Sequence, residues 1–285
     1  MAQHVARATQ TWQPLKYLKF QRQRLRPALE LLARVSDFPT TDDDSVEIID
    51  LGAGTGNMAP SFQKRWPSAH VTFVDSSTSM LEVAQQEHDE NETLNTQGFA
   101  YVQADFETYA PERPGNLIFS NAALQWVSAD KHKQILPRLY SFLKPGGVLA
   151  FQIPDTRLQP SHQRMVDAAA HLGLSDRVAG VRWVTCDKDP SFYYELFKAV
   201  DGGVELDMWE ATYAQVLEGD NPVADFTGST DLRPYMEALG DPSEDATKFE
   251  QTYREMIAAA YPKQSDGNTI FNLKRFFVMV TKPVT

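Results

Sequence analysis

A short β-branched run that stops at a glycine-rich bend is the feature that most limits how this chain can fold. Residues 46–51 read VEIIDL, residues 52–56 read GAGTG, and residues 58–65 have a helical pattern. A strand, a glycine bend and a helix in succession are typical of the first unit of a parallel α/β sheet. Ligands of such sheets bind at the carboxyl ends of the strands, so the bend is also a candidate site.

The alternation of strand and helix continues along the chain, which predicts a parallel sheet with right-handed crossovers. The predicted strands are 46–51, 71–75, 99–103, 116–121, 148–153, 204–213 and 270–281. The predicted helices before the fifth strand are 25–35, 58–65, 79–87 and 132–143. Pro27 is expected in the first turn of the first of these helices, and a turn at 144–147 is expected to end the last one. The expected fold class is α/β, a doubly wound, mostly parallel seven-stranded sheet of the Rossmann-like type with helical cap insertions.

The second half of the chain departs from strict alternation. Helical patterns follow at 161–172 and 190–200, and a long helical section is expected from 222 to 260. We predict a single domain over 1–285, with the late strands extending one edge of the sheet. Its core sheet would take about 40–153 plus 204–213 and 270–281, and its helical cap about 155–200 and 216–265.

Composition narrows the class of protein and its surroundings. Apolar residues make up 42% and charged residues 23% of the chain, as in ordinary globular enzymes. The single cysteine, Cys186, excludes an intrachain disulfide and a zinc site of several thiolates. No run approaches a membrane span and residues 1–13 lack an apolar signal core, so we expect a cytoplasmic protein without a membrane partner.

The charge of the chain bears on its partners. A net charge of −11 disfavours nucleic acid and anionic lipid, while a small anionic substrate would need its own arginines. The histidines have no metal-ligand spacing, and we predict no metal; we expect a monomer or a weak homodimer.

The spacing of the glycines separates two kinds of nucleotide site. A dinucleotide fingerprint has glycine at its first, third and sixth positions, but the sixth position here is Asn57. The actual pattern is Gly-x-Gly-x-Gly, with Asp50 two residues before it. S-adenosylmethionine has no pyrophosphate and carries an ammonium group, which a carboxylate at Asp50 would attract. The bend therefore favours S-adenosylmethionine over a dinucleotide.

An acid follows or ends each of the first three strands. Asp75 ends the second strand, where a carboxylate can accept hydrogen bonds from ribose hydroxyls of either cofactor. Asp105 follows the third strand, where it would accept from an adenine amino group with Phe106 packed near the base. Taken alone, the glycine bend is explained by a tight turn, Asp75 by a helix cap and Asp105 by a surface turn. The set in this order favours a cofactor site.

These residues resemble the class I S-adenosylmethionine-dependent methyltransferases. Further segments, over most of the chain from about Trp12, are similar to the trans-aconitate methyltransferase family: YLKF at 17–20 with Arg24, Arg26 and Pro27, NAALQW at 121–126, QIPD at 152–155, LRPY at 232–235 and RFF at 275–277. The resemblance implies transfer of a methyl group to one carboxylate of a small tricarboxylic acid, leaving S-adenosylhomocysteine. The sequence departs from bacterial relatives at Ala53 and Thr55, where they favour cysteine and proline, and in a longer section around 181–188.

The predicted site falls into two groups. The cofactor-binding candidates are Asp50, Gly52, Ala53, Gly54, Gly56, Asp75, Ser76, Met80, Asp105, Phe106 and Asn121. The substrate-binding candidates are Tyr17, Arg24, Gln125, Trp126, Arg233 and Arg275, since arginine binds carboxylates in a bidentate manner. A carboxylate with a pKa near ~4 is ionised at neutral pH, so its methylation needs positioning and no general base.

Three alternatives stay open at this point. The acceptor could be a fatty or terpenoid acid in an apolar tunnel instead of a tricarboxylate. The chain could be an NAD-dependent oxidoreductase, against which Asn57 argues. It could also be a protein that binds the cofactor without turnover.

Overall fold

The strands of the structure form one sheet. The computed structural model describes residues 21–38, 45–186 and 188–284. Within these residues the strands are β1 (Glu47–Leu51), β2 (His70–Asp75), β3 (Phe99–Gln103), β4 (Gly115–Asn121), β5 (Leu143–Pro154), β6 (Glu205–Leu217) and β7 (Thr269–Thr281). The strand order is β3-β2-β1-β4-β5-β7-β6. The expected α/β class, with a mostly parallel seven-stranded sheet, is confirmed.

The order of the strands reverses beside β1. This strand pairs in parallel with β2 on one side and with β4 on the other, so the chain winds outward in both directions from it. The crevice outside the carboxyl ends of β1 and β4 is therefore the switch point where ligands of doubly wound sheets bind. The glycine bend of residues 52–56 begins directly at this point.

The last two strands extend one edge of the sheet, as expected. β7 is antiparallel to β5 and to β6. Its pairing with β5 ends where Arg275 lies opposite Pro154, but β7 and β6 stay paired as far as Thr269 and Leu217. The two strands thus project as a ribbon beyond the carboxyl end of β5.

Helices cover both faces and the projecting ribbon. They are α1 (Gln21–Arg34), α2 (Ala59–Arg65), α3 (Thr78–Asp89), α4 (Ala129–Ser141), α5 (Pro160–His171), α6 (Ser175–Val178), α7 (Pro190–Val200), α8 (Pro222–Gly228), α9 (Arg233–Ala238) and α10 (Glu244–Ala260). Short 3₁₀ helices occupy Thr96–Gly98 and Leu124–Trp126. Polar caps begin several of the helices; the Ser77 hydroxyl, for example, accepts from the Met80 amide.

Some boundaries differ from those expected. The long helical section at 222–260 is three helices, because Gly228 ends α8 and Gly240, with a φ of 80°, follows α9. Pro27 lies inside α1 and not in its first turn. The turn expected at 144–147 is an irregular start of β5, in which Gly146 has a φ of 74° and the register with β4 shifts. The late strand β6 continues four residues past its expected end.

Alternate residues of the central strands serve two separate cores. Ile49 and Ile118 pack with Leu136 of α4 on one face, while Ile48 and Phe119 belong to the core of the other face. A strand buried on both faces is nearly all apolar, which is why these strands are so clear in the sequence.

A third apolar cluster joins the later helices to the ribbon. It includes Met165 of α5, Phe226 of α8 and Tyr253 of α10, which pack with Phe271 and Leu273 of β7. The ribbon therefore holds these helices over the carboxyl edge of the sheet. No described helix has the length and apolar character that a bilayer crossing requires.

Candidate active site

A cavity opens at the carboxyl edge of the sheet, between the strand ends and the later helices. Its walls come from the glycine bend, from the ends of β2 and β4, and from α1, α5, α8 and β7. The predicted residues that line it are Arg24, Asp50, Gly52, Ala53, Gly54, Asp75, Ser76, Met80, Phe106, Asn121, Gln125, Trp126 and Arg275. Most of the sequence-predicted site thus surrounds one space.

The glycine bend approaches its neighbours too closely for side chains. A Cβ on Gly52 would lie 2.3 Å from the Cβ of Ala123, and its φ is 76°. The bend is tied to the end of β2, because the amides of Gly52 and Ala53 donate to the Val74 carbonyl at 2.7 and 3.0 Å. Main-chain atoms therefore form this wall of the cavity.

Asp75 links the bend to the next helix. One carboxylate oxygen accepts from the Gly54 amide and the other from the Ser77 amide, both at 2.9 Å. Burial raises its pKa even though these amides favour the ionised form. Each oxygen keeps a further lone pair for a ligand hydroxyl.

Asp50 is the most strongly perturbed acid of the cavity. It lies near the end of β1 and is 3% exposed. Burial first, and then the negative charge of Asp75, raise its pKa to about 8. A cation placed beside it would favour the carboxylate, so the pair of acids suits a ligand with a positive group.

Gly56 and Asp105 are not among the residues that line the cavity. Gly56 faces away from it, toward His88, where an added Cβ would come within 2.4 Å of the imidazole. The Asp105 carboxylate accepts from the Glu107 amide at 3.0 Å and so caps the turn after β3. Of the two residues expected near the base, Phe106 lines the cavity and Asp105 does not.

The segment 121–127, which begins with the last residue of β4, forms the wall in the middle of the cavity; we call it the β4 loop. Ala122, with a φ of 50°, is the one non-glycine residue of the described part in the left-handed region. The Gln125 amide nitrogen donates to the Ala122 carbonyl at 2.5 Å, which fixes the orientation of that side chain. Its amide oxygen is buried without a hydrogen-bond partner among the described residues. The loop therefore carries a buried acceptor atom that still lacks a donor among the described residues.

Two buried arginines lie at the far end of the cavity, which we call the acceptor end. Arg24 is 9% exposed; it donates to the Ser229 hydroxyl at 2.7 Å, and its guanidinium carbon lies 4.7 Å from the Phe226 ring centre. Arg275 is 6% exposed, at the point where the ribbon leaves β5. Buried guanidinium groups favour anionic ligands.

The sequence did not identify an acid and a histidine at this end. The Asp231 carboxylate lies 3.5 Å from Nε2 of His162, and both residues line the cavity. Burial opposes its ionisation, but the charge and hydrogen bond of His162, with Thr230 and Arg24, hold the Asp231 pKa below its usual range. His162 stacks on Trp183, with ring centres 5.9 Å apart. No local motif marks this pair, because its members come from α5 and from the segment before α9.

One substrate candidate lies outside the cavity lining, and another lies outside the described residues. Arg233 begins α9 outside the cavity lining, where its guanidinium contacts the Glu237 carboxylate at 3.1 Å. Its neighbour Asp231 lines the cavity in its place. Tyr17 lies outside the described residues.

Comparisons with known proteins agree with this geometry. Residues 48–147 match the family model described as a methyltransferase domain. The chain is 37% identical over 272 residues to trans-aconitate 2-methyltransferase of Azoarcus sp. (strain BH72), covering 95% of this chain and 99% of that protein. It is 38% identical over 276 residues to the enzyme of the same name from Streptomyces avermitilis, covering 96% and 98%. The chain belongs to the trans-aconitate 2-methyltransferase family.

Solved structures share the fold of this family at low sequence identity. The mycolic acid cyclopropane synthase CmaA1 aligns over 92% of this chain and 85% of its own, with a TM-score of 0.54 and 13% identity. Phosphoethanolamine N-methyltransferase 2 of Haemonchus contortus, solved with S-adenosylhomocysteine, aligns over 90% and 53%, with a TM-score of 0.50 and 18% identity. Membership of a methyltransferase family removes the NAD-dependent oxidoreductase from consideration.

Proposed function

We propose that this chain transfers the methyl group of S-adenosylmethionine to one carboxylate of trans-aconitate, giving a monomethyl ester and S-adenosylhomocysteine. The observation that carries the proposal is a single cavity with buried acids and a glycine bend at one end and buried arginines at the other. The relatives at 37% and 38% identity are named for this acceptor.

The residues of the cofactor end fit the proposed cofactor. The open space beside Gly54, where an added Cβ would meet nothing within 4 Å, lets main-chain atoms meet the ligand, and Asp50 faces a ligand ammonium directly or through water. Asp75 accepts from the ribose hydroxyls, and Phe106 packs near the base. When bound, S-adenosylmethionine supplies an electrophilic methyl group on a sulfonium.

Gln125 serves the acceptor side of the cavity in this proposal. Its buried amide oxygen needs a hydrogen-bond donor, and an ionised carboxylate acceptor offers none. We therefore assign that oxygen to a bound water, which donates to it and to a carboxylate of the acceptor. Trp126, on the same loop, shapes the passage between the two ends.

The acceptor end holds the carboxylates that do not react. Arg24 and Arg275 neutralise them, while Asp231 keeps the local charge balanced and orients the side chains around it. The reacting carboxylate is already ionised, so no residue has to remove a proton. Positioning of the carboxylate oxygen in line with the methyl group contributes up to roughly 7 to 11 kcal/mol. A site that excludes water also favours a reaction in which opposite charges neutralise each other.

One experiment tests the proposal directly. The protein is incubated with methyl-labelled S-adenosylmethionine and a panel of acids, including trans-aconitate, citrate, a fatty acid and a terpenoid acid. We expect a base-labile monomethyl ester of trans-aconitate, identified by mass spectrometry. A preference for the apolar acids would replace the tricarboxylate with the lipophilic alternative, and an alkali-stable product would reject carboxyl methylation.

The same proposal includes the setting of the enzyme. We propose one domain with a core sheet and a helical cap, acting as a monomer or weak homodimer in the cytoplasm, where the lone Cys186 stays reduced. Analytical ultracentrifugation at micromolar concentration tests the oligomeric state.

A further inference from the structure

Two buried histidines make the same bridge at two places beside the cavity. His88 lies at the end of α3 and is 4% exposed; His132 lies in the first turn of α4 and is 2% exposed. Neither is among the residues that line the cavity. Each histidine connects a tyrosine hydroxyl to a main-chain carbonyl, and that carbonyl belongs to a segment that lines the cavity.

His88 holds the back of the glycine bend. Its Nε2 lies 2.9 Å from the Gly56 carbonyl oxygen, and its Nδ1 lies 2.8 Å from the hydroxyl of Tyr101 on β3. Its ring packs among Phe73, Phe99 and Tyr101, with centres 4.8, 5.4 and 5.8 Å away. The Gly52 and Ala53 amides tie the bend in front, so the bend is fixed from both sides.

The partners decide which nitrogen carries the proton. A carbonyl oxygen can only accept, so Nε2 of His88 donates to Gly56, and Nδ1 then accepts from the Tyr101 hydroxyl. Burial lowers the pKa of His88, which keeps the ring neutral. A neutral ring with this one tautomer satisfies both contacts.

His132 holds the β4 loop in the same way. Its Nε2 lies 3.0 Å from the Leu124 carbonyl oxygen and its Nδ1 lies 3.2 Å from the hydroxyl of Tyr193 on α7. Leu124 begins the 3₁₀ helix that carries Gln125 and Trp126 into the cavity. With a neutral ring, Nε2 donates to the carbonyl and the tyrosine hydroxyl donates to Nδ1, as at His88.

We propose that His88 and His132 are positioning residues for methyl transfer, His88 for the glycine bend that binds the cofactor and His132 for the loop that meets the acceptor. The inference rests on the proposed function. Because each bridge reaches one segment, the two residues act on different kinetic constants. Loss of the first weakens cofactor binding, and loss of the second raises the KM for the acid.

The test uses a matched set of variants of the full chain. H88F and H132F keep a ring but lose both hydrogen bonds, whereas H88Q and H132Q keep a donor and an acceptor at a similar separation. Y101F and Y193F remove only the distal hydroxyl. H70Q is the control, since His70 lies at the opposite end of β2 with its side chain 46% exposed.

Calorimetry with S-adenosylhomocysteine and steady-state kinetics give the readouts. We expect H88F to weaken nucleoside binding about tenfold and to leave the KM for the acid unchanged. We expect H132F to raise the KM for the acid about tenfold and to leave nucleoside binding unchanged. Each glutamine variant should stay within about threefold of wild type in both constants. Nitrogen-15 spectra of histidine-labelled protein report the tautomer without any turnover; they should show protonated Nε2 and bare Nδ1 for both residues.

The outcomes separate the two proposals. Wild-type protein that neither binds the nucleoside nor methylates an acid would remove the proposed function and this inference with it. Wild-type protein that does both, with phenylalanine variants that change both constants equally or neither, would overturn the inference alone. The same holds if the spectra show both histidines protonated on Nδ1, because neither ring could then accept from its tyrosine.

Discussion

The two ends of the cavity are built in different ways. The cofactor end takes most of its wall from residues 50–80, a nearly continuous strand, bend, helix, strand and helix. The acceptor end draws on α1, α5, α8, the segment before α9 and β7, which are far apart in the chain. The first end presents a main-chain bend with the two buried acids Asp50 and Asp75, and the second presents the buried arginines Arg24 and Arg275. The difference teaches where a substitution should abolish binding and where it should only weaken it.

The largest effect should follow replacement of Gly52 by valine. The new side chain would overlap Ala123 and require a φ of 76°, so we expect the S-adenosylhomocysteine affinity measured by calorimetry to fall more than about 100-fold. G173V is the matched control, because Gly173 also has a positive φ, of 67°, but has nothing within 4 Å of an added Cβ. Equal losses in the two variants would mean that backbone strain, and not the close approach, is responsible.

Replacement of Arg275 by methionine should affect only the acceptor end. Removing a buried charge partner costs about 2 to 5 kcal/mol, so kcat/KM for the acid should fall at least about 30-fold. The affinity for S-adenosylhomocysteine should stay within about twofold of wild type. A comparable loss of nucleoside binding would show that the two ends are not separate.

The pH dependence of cofactor binding should reveal Asp50. Its raised pKa of about 8 means that the cofactor-free protein holds a proton there at neutral pH. An ammonium ligand prefers the carboxylate, so affinity should rise about tenfold per pH unit below pH 8 and level off above it. Calorimetry between pH 6 and 9 measures this, and D50N should remove the slope.

D50N also tests how much stability Asp50 costs the folded, ligand-free protein. A carboxyl whose pKa is raised on folding costs the folded protein stability, and this cost grows as the pH rises from about 4 to about 8, because there the unfolded chain has released the proton that the folded protein keeps. The variant should therefore raise the Tm of the ligand-free protein at pH 9 by a few degrees, about 3 °C, while weakening nucleoside binding. An unchanged or lower Tm would contradict the raised pKa.

The smallest effect is expected for R233A. Arg233 contacts Glu237 on α9 and lies outside the cavity lining, so kcat/KM for the acid should change by less than about threefold. A loss as large as that of the Arg275 variant would extend the acceptor end to α9. The two arginines together thus define the boundary of that end.

The same difference explains what the sequence could predict. The glycine bend, Asp50 and Asp75 follow from local spacing, because a bend between a buried strand and a helix has one place in a doubly wound sheet. Arg275 was a correct candidate for the cavity wall and Arg233 was not, since nothing in LRPY indicates which way the chain turns before α9. Asp231 and His162 meet only after α5 and the segment before α9 are folded together. Such a long-range pair has no signature in a single sequence.

The direction of β7 has a consequence for the order of events during synthesis. Because this strand runs against β5, its first residues return to the carboxyl edge and place Phe271, Leu273 and Arg275 in the cavity wall. A chain still emerging from the ribosome can complete the glycine bend long before this wall exists. The part of the cavity wall that Phe271, Leu273 and Arg275 form is therefore added only when β7 joins the sheet, after the residues of the glycine bend have been made.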